Sequence, residues 1–323
     1  MESLLKLSYD EFIDYCVKNI ATVLKSEYNV SANKIYKTDE WVVDSFFMTK
    51  KGDDKVKRIV TIPTKEYYLE YVESQSLGEA ILKIIKETEK SFDDGENDDF
   101  TNRISVDLEN VSEYDYIKSR LIIRAISYTN NQKLLKDYYF HRIGDIALTL
   151  YMDAGRHKGG FMSAKVPLDS MKDWDKEQAF EVALNNTAQK NTPVFYSFET
   201  VVSMGNEIPS RRKYFMNKES YRFKESFTHT YRLSTDVSVN GATAAFYPGV
   251  LERVAEILED DFYLVFASTL ESMIHPMKKS DKVFLKNHAV NMSKNSAFTP
   301  AADFLSSSLY VYRREGSKIE AAD

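Results

Sequence analysis

The spacing of apolar residues predicts a helix near the start of the chain. Ser8 and Glu11 have the spacing of a capping box, in which each side chain bonds the other residue's free backbone N–H. Apolar residues then recur every three or four positions, which is typical of a helix with one buried face. These residues are Phe12, Ile13, Cys16, Val17, Ile20, Ala21 and Leu24. We interpret Cys16 as a small core residue of that face.

Three strand-like runs follow at 30–36, 41–48 and 56–62, and helical spacing returns after Pro63. Residues 1–92 therefore predict an α-β-β-β-α unit. The next stretch, 93–102, is acidic and poor in apolar residues, so we interpret it as a linker. It precedes a larger α+β domain at 103–323.

Paired strands alternate with helices along this larger domain. The predicted strands lie at 122–128, 143–152, 161–166, 231–239, 242–247, 262–267 and 309–312, and the predicted helices at 114–121, 176–189, 250–258 and 283–292. This β-β-α order indicates an α+β fold with antiparallel or mixed sheets flanked by helices. Residues 262–267 are apolar at every position, which predicts a central strand. Residues 204–230 are polar and basic, and we interpret them as a surface excursion.

Composition and charge narrow the possible partners. A net charge of -6 does not favour a nucleic-acid binder, because such proteins draw affinity from positive charge. The single cysteine, Cys16, excludes an intrachain disulfide and a Cys-rich zinc site. Neither a metal site nor a cofactor motif is apparent, so we expect none.

The apolar runs are too short to span a bilayer, and the first residues lack the basic start of a signal peptide. We therefore expect a cytoplasmic protein without membrane association. We also expect a monomer or a weak dimer.

A basic and aromatic cluster marks one candidate binding surface, formed by Arg211, Arg212, Lys213 and Tyr214. Such a cluster can hold a nucleic-acid backbone and stack on bases. The acidity of the chain instead favours a solvated loop whose aromatic residues dock on the core. An acidic protein partner is the next alternative.

The stretch from 266 to 276 carries Ser268, Glu271 and His275, three residue types found in hydrolase sites. In a helix, Ser268 would be the N-cap and Glu271 its capping partner. In a strand, Glu271 and His275 would lie about 13 Å apart on one face. Neither geometry assembles a local catalytic triad.

Residues 240–276 resemble a family of uncharacterised proteins found mainly in gut Clostridia. Shorter blocks extend the resemblance over nearly the whole chain, including the first helix and the run LSSSLYVY. The positions that match in 240–276 are Asn240, Gly241, Ala242, Asp261, Phe262, Tyr263, Ser268, Glu271 and Pro276.

The resemblance implies a strand-turn-strand structure at 262–275, with the turn near Thr269 and Leu270. Leu270 stands where the family typically has histidine. If that histidine were catalytic, this chain would have lost it. The family supplies no known reaction, substrate or cofactor.

These observations favour a non-catalytic, cytosolic binding or regulatory protein of bacteria that acts through a protein partner. The suggested source is a phage or mobile element, and the suggested target is a host system. The alternative is a hydrolase or nucleotide-handling enzyme with a site assembled across the fold. Its candidate residues are His157, Asp236, Ser268, Glu271 and His275.

Overall fold

The structure, a computed structural model, divides into two compact units, Met1–Glu109 and Asn110–Asp323. The residues that it describes are 6–24, 28–36, 42–51, 59–96, 110–157, 160–203, 215–219, 221–237, 239–294, 299 and 303–322. Of the predicted linker at 93–102, residues 93–96 are described and are helical.

The first helix, α1 (Tyr9–Val23), begins at the predicted capping box. The Ser8 N–H donates to Glu11 Oε2 at 2.8 Å, and the Glu11 N–H donates to Ser8 Oγ at 3.3 Å. Burial raises the pKa of the Cys16 thiol to about 12, so the thiol is protonated and unreactive at neutral pH. The buried face of α1 consists of Phe12, Cys16 and Ile20.

An antiparallel sheet follows, built from β1 (Tyr28–Tyr36), β2 (Val42–Lys50) and β3 (Ile59–Pro63), with β2 in the centre. Phe46 on β2 lies opposite Ile62 on β3, and both are buried. Their burial gives this unit a core separate from those of the second unit.

Two helices complete the first unit, α2 (Thr64–Ser74) and α3 (Leu77–Glu96). Gln75 adopts a left-handed conformation, φ 58°, which ends α2. The predicted α-β-β-β-α order is confirmed, except that its last helix is divided in two.

The second unit contains a six-stranded antiparallel sheet in the order β13-β12-β10-β11-β9-β8. The central position of β10 confirms the prediction made from its continuous apolar run. The strands are β8 (Pro193–Ser197), β9 (Tyr231–Thr235), β10 (Phe262–Ser268), β11 (Glu271–Pro276), β12 (Leu309–Arg313) and β13 (Lys318–Ala321).

A four-stranded sheet in the same unit is organised around the long strand β6, which pairs antiparallel with the other three. Its strands are β4 (Leu121–Ser127), β5 (Phe140–Ile143), β6 (Ile146–His157) and β7 (Gly160–Lys165). The sequence pattern missed β5, β8 and β13. Strands β5 and β13 have only four residues each, two of them polar, and β8 begins with proline.

Helices flank both sheets, which confirms the predicted α+β class. The α-helices are α4 (Tyr114–Ile117), α5 (Lys176–Lys190), α6 (Phe198–Ser203), α7 (Val250–Leu258) and α8 (Lys282–Lys294). The 3-10 helices are Lys118–Arg120, Leu134–Asp137, Leu168–Met171, Gly241–Phe246 and Met277–Lys279.

Strand β10 is buried on both faces. Phe262, Leu264 and Phe266 point into a core that includes residues of β4, β6 and α5. The opposite face packs against α8 and β12 in a second, smaller cluster. Its buried members are Tyr263, Val265, Ala267, Leu285, Ala289, Leu309 and Val311.

The carboxylate of Asp145, in the turn between β5 and β6, connects the two sheets. It accepts hydrogen bonds from Ser306 Oγ at 2.7 Å, from Ser308 Oγ at 3.1 Å and from the Tyr310 hydroxyl. Burial and the neighbouring carboxylate raise the pKa of Tyr310. The preceding Gly144 has φ 59°, and a Cβ there would meet the ring of Tyr310.

The predicted strand at 242–247 is wrong, because Gly241–Phe246 is a 3-10 helix. Asn240, the residue before this 3-10 helix, adopts a left-handed conformation, φ 51°. Thr243 Oγ1 then accepts a hydrogen bond from the Ala125 N–H at 3.3 Å. The run of small residues therefore allows the backbone to be buried against a neighbouring strand.

Part of the predicted surface excursion, 204–230, packs on the core. Phe215 is buried, and its ring lies 5.8 Å from that of Phe195. The Tyr221 hydroxyl donates to the Phe195 carbonyl at 3.0 Å. Residues 204–214 and 220 lie outside the described residues.

We expect Leu264→Ala to lower the free energy of unfolding by about 2–5 kcal/mol, because the fully buried side chain leaves a cavity. Urea denaturation measures the change. Leu270→Ala is the matched control, since Leu270 is 43% exposed and its truncation is expected to change stability by less than about 0.5 kcal/mol. Equal effects of the two substitutions would contradict the central burial of β10.

Candidate functional site

A cleft of about 500 Å³ lies between α8 and one face of the six-stranded sheet. Residues two positions apart share a face of a strand, and Val265 and Ala267 of β10 lie on the face that lines the cleft, with Glu271, Met273 and His275 of β11. The lining residues are Phe198, Thr228, Thr230, Arg232, Val265, Ala267, Ser268, Glu271, Met273, His275, Phe284, His288, Met292 and Thr299.

Helix α8 supplies the wall opposite the sheet. Leu285 and Ala289 are buried against the sheet, whereas Phe284, His288 and Met292 line the cleft at intervals of four residues. This spacing places the second set on one side of the helix. The rings of Phe284 and His288 stack with centroids 5.9 Å apart.

An ion pair between Arg232 of β9 and Glu271 of β11 forms part of the cleft wall. Both side chains are mostly buried. Burial lowers the pKa of the Arg232 guanidinium, which nevertheless stays charged at neutral pH. The Arg232 Nε atom is buried and has no hydrogen-bond partner among the described residues.

His275 is a neutral imidazole in the same wall. It is 6% exposed, and its Nδ1 lies 3.4 Å from Thr230 Oγ1. Burial, with a smaller contribution from His288, lowers the His275 pKa from 6.5 to about 4. Its Nε2 atom is buried without a partner among the described residues.

Glu199 of α6 holds the loop that brings Thr228 and Thr230 to the cleft. Its Oε1 accepts from the Thr228 N–H at 3.0 Å, from Thr228 Oγ1 at 2.7 Å and from Ser226 Oγ at 2.8 Å. Burial opposes ionisation, but these hydrogen bonds outweigh it and lower the Glu199 pKa to about 2. The loop therefore rests on a carboxylate that stays ionised in mild acid.

A second cavity, of about 690 Å³, lies beside β5 and α5. In this cavity, His141 Nε2 lies 3.0 Å from Glu177 Oε2 and 3.1 Å from the Tyr139 hydroxyl. The imidazole, the carboxylate and the phenol of the cavity therefore pair with one another. Among the described lining atoms, one buried polar atom lacks a partner there, the Tyr247 hydroxyl.

Three buried polar atoms of the cleft lack a partner within the described part of the chain: Arg232 Nε, His275 Nε2 and Thr299 Oγ1. Each such atom costs about 1–3 kcal/mol of stability. The cleft has more of these atoms than the cavity beside β5 and α5, and a ligand can supply their missing partners. The cleft is therefore the better candidate for a binding site.

Three residues of the predicted alternative enzyme site meet in this cleft, but each has a different partner. Ser268 Oγ accepts from the Leu270 N–H at 3.3 Å, Glu271 pairs with Arg232, and His275 contacts Thr230. Ser268 lies opposite Glu271 in the β10–β11 hairpin, whereas His275 lies opposite Tyr263. Counted along β11, Ser268 and His275 are thus separated by four strand positions, roughly 13 Å.

The other predicted site residues lie elsewhere. Asp236 follows β9 and is exposed, and its backbone N–H donates to the Thr192 carbonyl. His157 ends β6 in the four-stranded sheet, and its side chain is outside the described part of the chain. Arg211, Arg212, Lys213 and Tyr214 also lie outside the described residues.

Sequence reasoning missed Arg232, Thr230, His288 and Phe284. Each belongs to a different strand, loop or helix face from the 266–276 stretch, so no spacing rule connects them. The available signal was an arginine between Tyr231 and Leu233, two residues expected to be buried in a strand.

None of the described helices is both long enough and apolar enough to cross a bilayer. Within the same residues, no group of three or more His, Cys, Asp or Glu side chains could hold a metal ion.

A family model described as a family of unknown function, DUF5688, matches residues 9–314. This match confirms the nearly full-length resemblance to an uncharacterised family. No curated protein and no solved structure matches the chain. The cytoplasmic location and the phage or mobile-element origin stay predictions.

We expect Ser268 to be unreactive toward a fluorophosphonate probe, because the hairpin register places its hydroxyl too far from the His275 imidazole for that ring to take its proton. Intact-mass spectrometry measures labelling of the native chain, with Ser268→Ala as the matched control. Stoichiometric labelling that Ser268→Ala abolishes would show that the serine is activated.

We expect the buried His275 side chain to lower the free energy of unfolding as the pH falls into the mildly acidic range. Between pH 6.5 and about 4 the unfolded chain binds a proton at this position and the folded chain does not, so stability falls as the pH falls. The full effect is about 3 kcal/mol. Urea denaturation at pH 7, 5.5 and 4 should show a smaller decline for His275→Gln than for the unsubstituted protein. Parallel declines would contradict burial of a neutral His275.

Proposed function

The chain belongs to the family of unknown function DUF5688, and from the contacts of its own residues we infer that it is a non-catalytic binding protein. In this proposal, the cleft between α8 and the six-stranded sheet receives an apolar segment of a protein partner. The observation that carries the proposal is an apolar cleft whose rim leaves Phe284 65% exposed.

The lining of the cleft supports an apolar ligand. Val265 and Ala267 form its floor on β10, and Met273 and Met292 approach from β11 and α8. Methionine side chains are flexible and polarisable, so they adapt to apolar groups of different shape. Ligand sites combine such a lining with a few polar groups, as this cleft does.

The rim supports a macromolecular partner. Phe284 lines the cleft, and its neighbour Val283 is 69% exposed at the start of α8. Leu270, in the hairpin turn between Ser268 and Glu271, is also exposed. Large exposed apolar side chains beside an apolar pocket are typical of protein-interaction surfaces.

The polar groups favour binding over the predicted alternatives of hydrolysis and nucleotide handling. Ser268 and His275 are too far apart to form a nucleophile and base. Arg232, the cation that could hold a phosphate, already pairs with Glu271. In this proposal, the charged and titratable groups of the cleft therefore hold the wall together and orient a ligand.

Panning a phage-displayed random peptide library on the full chain tests this proposal. We expect enrichment of apolar peptides that lose at least 10-fold in affinity for Phe284→Ala, because the substitution removes rim contact area. Fluorescence anisotropy with a labelled enriched peptide measures the affinity.

Leu69→Ala is the matched control, since Leu69 is likewise an exposed apolar residue on a helix but belongs to the first unit. The Leu69→Ala variant should bind the enriched peptide with the same affinity as the unsubstituted protein. Ala267→Trp, which fills the cleft floor, provides a second variant. Failure to enrich peptides, or enriched peptides that bind both cleft variants undiminished, would overturn the proposal.

A further inference from the structure

The turn before β9 displays a phenylalanine to solvent. Phe227 is 82% exposed, the largest exposed fraction among the described large apolar side chains. A single exposed apolar residue needs no explanation by itself. Phe227 differs from the others because its turn is held in one conformation and borders the cleft.

Hydrogen bonds on both sides of Phe227 hold the turn. The carboxylate of Glu199 accepts from the side chains of Ser226 and Thr228 and from the Thr228 N–H. Ser226 is buried, and its Oγ also accepts from the Thr230 N–H at 3.2 Å. The backbone that carries the ring is therefore ordered before any partner binds, which lowers the entropy lost on association.

The same turn forms part of the cleft wall. Thr228, the residue after Phe227, lines the cleft, as do Thr230 and Phe198 of α6. The Phe198 N–H donates to the Thr230 carbonyl at 2.9 Å, which ties the turn to that wall. The Phe227 ring does not fill its own cleft, since it is exposed to solvent. One surface of the second unit thus carries a protruding ring beside an apolar recess.

The recess suits an aromatic ring. Its volume of about 500 Å³ lies within the range of sites that hold small organic groups. Met273 and Met292 line it, and methionine sulfur makes favourable contacts with aromatic rings. The cleft therefore has the size and the chemistry to receive a phenylalanine side chain.

We propose that the partner whose apolar segment enters the cleft is a second copy of this chain, and that the segment is the turn 226–230 with Phe227 as its anchor. In a two-fold symmetric dimer both copies use the same surface, so a ring and a recess on one surface can form two reciprocal contacts. The inference rests on the proposed function, and it identifies the partner.

The area available indicates a weak dimer. A fully buried aromatic side chain covers about 150–250 Å², so Phe227 and the 65% exposed Phe284 can bury about 300 Å² per copy. Four such rings and the surfaces that they contact give a total of about 1,200 Å², the lower end for stable interfaces. We therefore expect a dissociation constant of about 1–100 µM.

Sedimentation equilibrium on the full chain, over concentrations that span this range, tests the inference. We expect a monomer–dimer equilibrium that Phe227→Ala weakens by about 10-fold or more, because each dimer loses both anchors. The exposed position of Phe227 lets this variant fold. Leu69→Ala, which truncates an exposed apolar residue of the first unit, is the matched control and should leave the dimer unchanged.

A mixture of two defective variants tests whether the ring enters the cleft. Phe227→Ala lacks the anchor and keeps an open cleft, whereas Ala267→Trp fills the cleft floor and keeps the anchor. Neither variant can form the contact alone, but a mixed dimer can form one of the two contacts. We therefore expect the mixture to associate more tightly than either variant, as measured by sedimentation velocity with one variant labelled. If Ala267→Trp does not fold, Phe284→Ala is the second cleft variant, and its dimer should also be weaker.

The outcomes distinguish this inference from the proposed function. A chain that stays monomeric at about 1 mM would overturn the inference and would leave the proposed function standing if apolar peptides are still enriched. A dimer that Phe227→Ala leaves unchanged, or one that both cleft variants leave unchanged, would also overturn it. A mixture that associates no more tightly than its separate components would do the same. A monomeric chain that also fails to enrich peptides would overturn both.

Discussion

The carboxylate of Asp145 is the interaction on which the second unit most depends. It collects hydroxyl hydrogen bonds from Ser306, Ser308 and Tyr310, which lie more than 160 positions away in the sequence. These bonds fix the segment leading into β12, and backbone hydrogen bonds from Leu305 and Ser306 then hold that segment along β10. Because β10 carries the core on one face and the cleft on the other, the turn of one sheet determines where the cleft of the other lies.

Local sequence signals predicted much of this arrangement. The capping box at Ser8 and Glu11 predicted α1, and the continuous apolar run of 262–267 predicted the central strand. The strand-turn-strand form of 262–275, with its turn at Thr269 and Leu270, was implied by the family resemblance and agrees with β10 and β11. Each of these features depends on residues within one or two turns of chain.

Features set by distant contacts could not be predicted in the same way. Residues 242–247 look like a strand by composition, but Gly241–Phe246 is a 3-10 helix in which Thr243 bonds the backbone of Ala125. A local sequence pattern does not show that contact. The residues of the candidate site likewise fall into a group that a local pattern places and a group that depends on distant contacts. Period-two alternation can place Glu271 and His275 on one face, but their partners Arg232 and Thr230 come from β9 and the loop before it.

Helix α8 is attached to the sheet by few buried side chains. Leu285 and Ala289 are its buried residues, whereas Val283 and Phe284 are largely exposed. Helices that bury little apolar surface separate from their neighbours at a small fraction of the free energy of global unfolding. The wall that closes the cleft is thus suited to transient opening, which gives a bulky segment a route to the floor while the central strand stays in place.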